Sequence, residues 1–133
     1  MIVDASAILA VLRAEPDAAT YARALAEAPA RPWLSAVSYL AVAIEVDTLG
    51  RNAAVQAFES FLEAARLEVR PVTPAHARLA RLAHATYGAG NHPASLSFPE
   101  CFAYALARET GLPLLYKSPG FAETAISPAL ELA

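Results

Sequence analysis

The chain has 133 residues, 56% of them hydrophobic and 17% charged, with a formal net charge of -3; this is enough chain for one buried core and too apolar for a disordered segment. The acidic balance excludes a broad basic surface of the kind that coats nucleic acid, though not a small local one. The single cysteine, Cys101, excludes an intrachain disulfide and a cysteine zinc cluster, no uncharged apolar run reaches the ~18 residues of a membrane span, and Met1 leads into apolar residues without a basic leader, so a cytoplasmic protein is expected.

Met1-Ile2-Val3 reads as a short buried strand, and Ala5 to Leu12 as a helix, which sets Asp4 at the junction between them. That position admits two roles. Asp4 or Ser6 can cap the helix, or Asp4 can bind a ligand beyond the carboxyl end of the strand. A second helix runs from Asp17 to Ala28, and Pro29 and Pro32 punctuate the chain after it. Trp33-Leu34 is a short strand, with Ser35 as N-cap of a helix from Ala36 to Leu49 that stops at Gly50. Val55, Phe58, Leu62 and Ala65 repeat at the helical period in a helix from Asn52 to Arg66.

Leu67 to Val72 alternates as a strand. Thr73-Pro74 opens the next helix, which ends near Gly88 and Gly90, and Asn91 to Ser97 is a loop. A last long helix runs from Phe98 to Arg108 and closes around Gly111; Leu112 to Tyr116 is an apolar strand, followed by a turn at Lys117 to Gly120, a short helical piece, and a weak final strand and tail from Ile126. Strands separated by helix pairs predict an α/β fold with a mostly parallel sheet between helical layers, in one domain spanning 1–133.

Glycine-rich nucleotide loops are absent. His76 and His84 lie about two turns apart on an arginine-rich helix, with no acid between them to complete a metalloprotease motif, and read as a solvated face. His92 precedes a proline, which favours a turn role. The serines lack His and Asp partners at triad offsets, and Cys101 reads as a buried small hydrophobe. Carboxylates remain. Glu100 suits the dipole of the last long helix; if the fold brings it beside Asp4, two oxygen ligands converge as a hard cation requires. Two is few, since phosphodiester hydrolysis commonly uses three or four.

Several segments together carry a resemblance: Met1 to Ala10, Leu34-Ser35-Ala36-Val37-Ser38-Tyr39-Leu40, His92-Pro93-Ala94, Cys101 to Ala107, Glu109-Thr110-Gly111, and Pro113 to Lys117. In this order they resemble the PIN-domain toxins of VapC type over nearly the whole chain. The resemblance implies a three-layer α/β/α domain with a central, mostly parallel sheet. It also implies an endoribonuclease dependent on Mg2+ or Mn2+, a VapB-type antitoxin as partner, RNA as substrate, and a homodimer.

The family's acidic positions are largely altered here. The first is Asp4. The second falls on Ala41, the third on Glu100 within Pro99-Glu100-Cys101-Phe102, the fourth within Ser118-Pro119-Gly120-Phe121, and a further one on Ala125. The resemblance thus implies Asp4 and Glu100 as catalytic and metal-binding residues, in a cleft lined by Ser6, Ser35, Ser38, Ala41, Pro119, Gly120 and Phe121, with Leu40 framing it. Glu45, one turn beyond Ala41, either approaches that cleft or is a solvated helix acid, the second being favoured.

Two functions are therefore expected to compete. One is a VapC-like ribonuclease with weakened or no cleavage, because Ala41, Pro119, Gly120 and Ala125 stand where acids are expected. The other is a noncatalytic PIN-fold variant or engineered scaffold whose neutral cleft binds a ligand or partner. DNA binding has no support, for lack of a helix-turn-helix or a basic stripe.

Overall fold

In the computed structural model, which describes residues 1–130, four short strands form a parallel sheet in the order β3-β2-β1-β4. The elements are β1 (Ile2–Val3), α1 (Ala5–Leu12), α2 (Ala18–Ala26), β2 (Trp33–Ser35), α3 (Ala36–Asp47), α4 (Asn52–Ala64), β3 (Glu68–Arg70), α5 (Pro74–Tyr87), α6 (Phe98–Thr110) and β4 (Leu114–Leu115), followed by a short 3-10 helix at Pro119–Glu123. The chain builds outward from β1 to β3, then returns to place β4 on the other side of β1. The strand order reverses between β1 and β4, and such a switch point opens a crevice at the strands' carboxyl ends.

The two-residue period of the strands assigns the layers. Ile2 and Leu114 point into a core with Ala80 and Ala83 of α5, Ala103 and Leu106 of α6, and Phe121. Val3, Leu34 and Leu115 point the other way, into a core with Ile8 of α1, Tyr21 of α2, Val42 of α3 and Phe58 of α4. The result is the three-layer α/β/α arrangement. All of β1 and β4 is fully buried, and each such Leu, Ile or Val contributes about 1.5–3 kcal/mol to the folded state. The strands are shorter than their sequence patterns suggest. Leu67 and Val72 lie outside β3, and β4 keeps only its two central leucines. The weak final strand is reduced to a single parallel bridge from Leu114 to Pro128. Residues 131–133 of the expected tail lie outside the described residues.

Alanine sets how closely α5 and α6 approach: Ala80, Ala83, Ala103, Ala105 and Ala107 are all buried along their side of the sheet. At the end of α6 Gly111 takes a left-handed conformation with φ 71°, which a side chain would strain. His76 departs from the expected solvated face. It is buried, its Nδ1 accepts from the Thr73 N–H at 3.3 Å, and its Nε2 lies 2.8 Å from Glu109 Oε1. Thr73 closes a capping box with it, so the imidazole does the work usually given to Glu or Gln at that position. His92 serves its turn, accepting from the Ala94 N–H at 3.0 Å, and Cys101 is buried as expected. No helix among the described residues is long and apolar enough to cross a membrane.

The turn after β4 is fixed by contact between backbones. A Cβ on Gly120 would lie 2.2 Å from the Ala94 carbonyl oxygen, which cannot yield as a flexible side chain would. Gly120→Ala is expected to destabilise the fold by about 1–3 kcal/mol, measured as a lowered denaturation midpoint with an unchanged m-value.

Candidate active site

Asp4 leaves β1 in an extended conformation and caps α1: its Oδ2 accepts from the Ser6 N–H at 3.0 Å and from the Ser6 hydroxyl at 2.5 Å. Ser6 Oγ in turn accepts from the Lys117 N–H at 2.9 Å and the Ser118 N–H at 3.1 Å. One hydroxyl therefore joins the β1–α1 junction to the loop that follows β4. The Asp4 N–H donates to the Leu115 carbonyl at 2.9 Å, so backbone pairing holds the same two chain segments together. Asp4 caps α1 from a position that also lines a cleft, so the cap does not exclude a ligand role.

Asp4 is only 2% exposed, and among the described residues no Lys, Arg or His lies within ion-pair distance of it. Lys117 follows β4 but turns its ammonium to Glu15 and to Asp17, the latter at 2.9 Å; those two carboxylates hold its pKa above the usual lysine value. Arg13 is taken by Glu45 at 2.9 Å. Burial, and secondarily the charge of Glu100, push the Asp4 carboxyl from its ordinary 3.8 up to about 6, against the hydrogen bonds from Ser6 that favour the ionised form.

Glu100 sits in the first turn of α6 and closes a capping box with Ser97. The Ser97 N–H donates to Glu100 Oε1 at 2.9 Å, and the Glu100 N–H donates to Ser97 Oγ at 3.4 Å. Asp4, Ser6, Ala41, Glu45, Glu100 and Ser118 line one open cleft of about 200 Å³ at the carboxyl ends of β1 and β4. The fold thus brings both sequence-nominated carboxylates to one place, with Ala41 where a third acid is expected by resemblance. Pro119 and Gly120 line an adjoining hollow that shares Glu100 and Ser118.

Three expected lining residues are elsewhere. Phe121 is fully buried in the core against Tyr116, because the 3-10 helix turns its ring inward. Ser35 is buried as the cap of α3, its Oγ accepting from the Val37 N–H at 3.2 Å. Ser38 is fully buried, and its hydroxyl has no partner among the described residues. Leu40, expected to frame the pocket, is 55% exposed and does not line the cleft. Glu45 reaches the cleft wall while remaining half exposed in its ion pair, so neither of its two expected roles excludes the other. Ser97 and Pro99 also line the cleft and were not anticipated, although their place beside Glu100 in the helix opening signals it.

The donor set consists of carboxylate oxygens, which suits a hard cation such as Mg2+ that keeps much of its water and takes one or two protein carboxylates. No group of three or more His, Cys, Asp or Glu residues among the described residues is placed to hold a metal. The site therefore fits a sparsely ligated hydrated cation and does not fit a closed multi-carboxylate cage.

Comparison with known proteins agrees with this architecture. The PIN domain family profile matches residues 1–126. The chain is 48% identical over 132 residues to a VapC ribonuclease of Mycobacterium bovis and to Ribonuclease VapC28 of Mycobacterium tuberculosis, covering 98% of each chain in both cases. Its fold is similar to that of the crystal structure of Mycobacterium tuberculosis VapC20, a Sarcin-Ricin loop cleaving toxin, with a TM-score of 0.75 at 17% identity over 94% of this chain and 95% of that one. It is also similar to a chain of a toxin-antitoxin complex from Klebsiella pneumoniae, with a TM-score of 0.68 at 14% identity over 98% of both chains. With a switch-point cleft anchored by Asp4, a parallel sheet between helical layers, and close relatives along its whole length, the chain belongs to the PIN-domain family and to its VapC-type branch.

Proposed function

We propose that this chain is the toxin of a type II toxin-antitoxin pair, a cytoplasmic endoribonuclease whose cleavage is strongly attenuated. In this reading Asp4 and Glu100 hold one Mg2+ or Mn2+, RNA is the substrate, a VapB-type antitoxin is the inhibitor, and the active species is a homodimer. The observation that carries it is the Asp4 carboxylate, buried at the carboxyl end of β1, without a cationic partner among the described residues and facing Glu100 across one cleft. An isolated buried carboxylate is destabilising, and a cation in the cleft relieves it.

When bound, the cation supplies charge stabilisation for the phosphodiester and a more acidic water. The chain's own residues do the positioning. Ser6 fixes the Asp4 carboxylate through two hydrogen bonds to one oxygen. Ser97 holds one oxygen of Glu100. Attenuation follows from Ala41, which lines the cleft without a donor, and from Pro119 and Gly120, which bring none from the loop after β4.

A second reading is a noncatalytic PIN-fold protein that binds a partner or ligand, favoured by the lack of any three-residue metal cluster among the described residues. Thermal denaturation with and without Mg2+ or Mn2+, paired with cleavage of a structured RNA, separates the two. The ribonuclease reading expects a stabilising shift and slow cleavage, both lost in Asp4→Asn; no shift and no cleavage at high protein concentration overturn it. Ala41→Glu returns a carboxylate to the cleft wall and is expected to raise apparent metal affinity and cleavage by about tenfold or more, read from Mg2+ titrations of RNA cleavage.

The Asp4 pKa also fixes a pH dependence of stability in the presence of chelator. The folded state raises this carboxyl from 3.8 to about 6, so the native state binds the proton more tightly than the unfolded chain. The penalty is absent below pH 3.8, grows between there and about 6, and is complete above, at roughly 3 kcal/mol. Asparagine caps as well as aspartate. Asp4→Asn is therefore expected to raise Tm by on the order of 10 °C at about pH 8 and to leave it nearly unchanged at about pH 4.

A further inference from the structure

On the other side of the first turn of α6 lies a second depression, of about 550 Å³, between α5 and α6, lined among others by Arg81 and His84 of α5 and Phe98 and Phe102 of α6. We propose that this groove is a subsite for single-stranded RNA continuous with the Asp4–Glu100 cleft, with Phe98 stacking a base and Arg81 taking a backbone phosphate. The proposal rests on the ribonuclease reading above and extends it to the segment of RNA beside the cleaved bond.

Three observations carry it. The first is the Phe98 ring, which is 69% exposed and is braced at its inner side by Phe102, ring centroids 5.2 Å apart. A supported aromatic ring with a free face is the platform that unpaired bases stack on, without demand for a particular sequence. The second is charge. Within an acidic chain, α5 carries Arg78, Arg81, His76 and His84 and no Asp or Glu. His76 is turned inward, which leaves Arg78, Arg81 and His84 exposed. Arg81 has no carboxylate within ion-pair distance among the described residues, in contrast to Arg13 and Lys117, which are both engaged. Arg81 and His84 are three residues apart, so both present to the same groove.

The third observation is continuity. Ser97, Pro99 and Glu100 face the cleft while Phe98, Cys101 and Phe102 face the groove, so a single helical turn is the wall between them. A strand whose phosphate lies at Glu100 passes its neighbouring nucleotide over Phe98. A polyanion complements the exposed cations of α5, which have no carboxylate within ion-pair distance among the described residues.

The test is equilibrium binding of a fluorescein-labelled single-stranded RNA of about 12 nucleotides, by anisotropy in EDTA so that no cleavage intervenes, with cleavage in Mg2+ and sedimentation measured in parallel. Phe98→Ala is expected to weaken binding by roughly tenfold and Phe98→Trp to retain it. Arg81→Gln is expected to lower the slope of log affinity against log salt by roughly 0.7, the loss of one single-strand phosphate contact. Wild type that binds and cleaves while all three variants match it overturns the subsite and leaves the ribonuclease reading standing. Wild type that neither binds nor cleaves RNA overturns both. Phe98→Ala that turns a dimer into a monomer without changing RNA affinity assigns the groove to a second copy and overturns the proposal.

Discussion

The hydrogen bonds that converge on the Ser6 hydroxyl hold the functional end of this molecule together. Ser6 donates to Asp4 and accepts from two consecutive amides after β4, so it uses the full capacity of a hydroxyl group. Everything on the cleft side depends on that junction. It orients the buried carboxylate, and it sets the path of the loop that carries Ser118, Pro119 and Gly120. It also aims the Lys117 side chain toward Glu15 and Asp17 and away from Asp4. The charge of Asp4 is thereby left to be balanced by whatever enters the cleft.

Much of this arrangement was legible in the residues. Short apolar runs at Met1 to Val3 and Leu112 to Tyr116, alternation at Leu67 to Val72 and period-3.6 repeats in the helices are local signals of burial, and the element order followed from them. The placement of Asp4 at a strand's carboxyl end was equally local, because it needs only the two flanking elements. What could not be read was the rotation of short segments. Phe121 was expected at the cleft, but a five-residue 3-10 helix has no pattern long enough to show which side faces in. Ser35 and Ser38 follow a strand end as Asp4 does, yet α3 turns both hydroxyls into the protein. His76 was misplaced for a different reason: its arginine neighbours made the helix look solvated, while its partner Glu109 is far along the chain and invisible to any local window.

The groove between α5 and α6 shows the same limit from the other side. No motif joins Arg81, His84 and Phe98 in the sequence, and only the crossing of two alanine-faced helices sets them side by side. The aromatic pair Phe98 and Phe102 is spaced by one helical turn, a pattern that commonly means core packing. Exposure of the first ring is what changes its meaning, and exposure is a tertiary property.

Both acids that this chain retains at the cleft are helix caps. Asp4 closes the amino end of α1, and Glu100 completes the capping box of α6. Position 41 lies in the second turn of α3, away from either helix end, whereas positions 119 and 120 open a short 3-10 turn that has no side-chain cap. Glutamate rather than aspartate at position 100 points the same way, because the longer side chain reaches back to the Ser97 amide. At position 100 the cap and the cleft carboxylate are one side chain, so a change there alters the helix end and the cleft together, whereas at position 4 asparagine preserves the cap and removes only the charge.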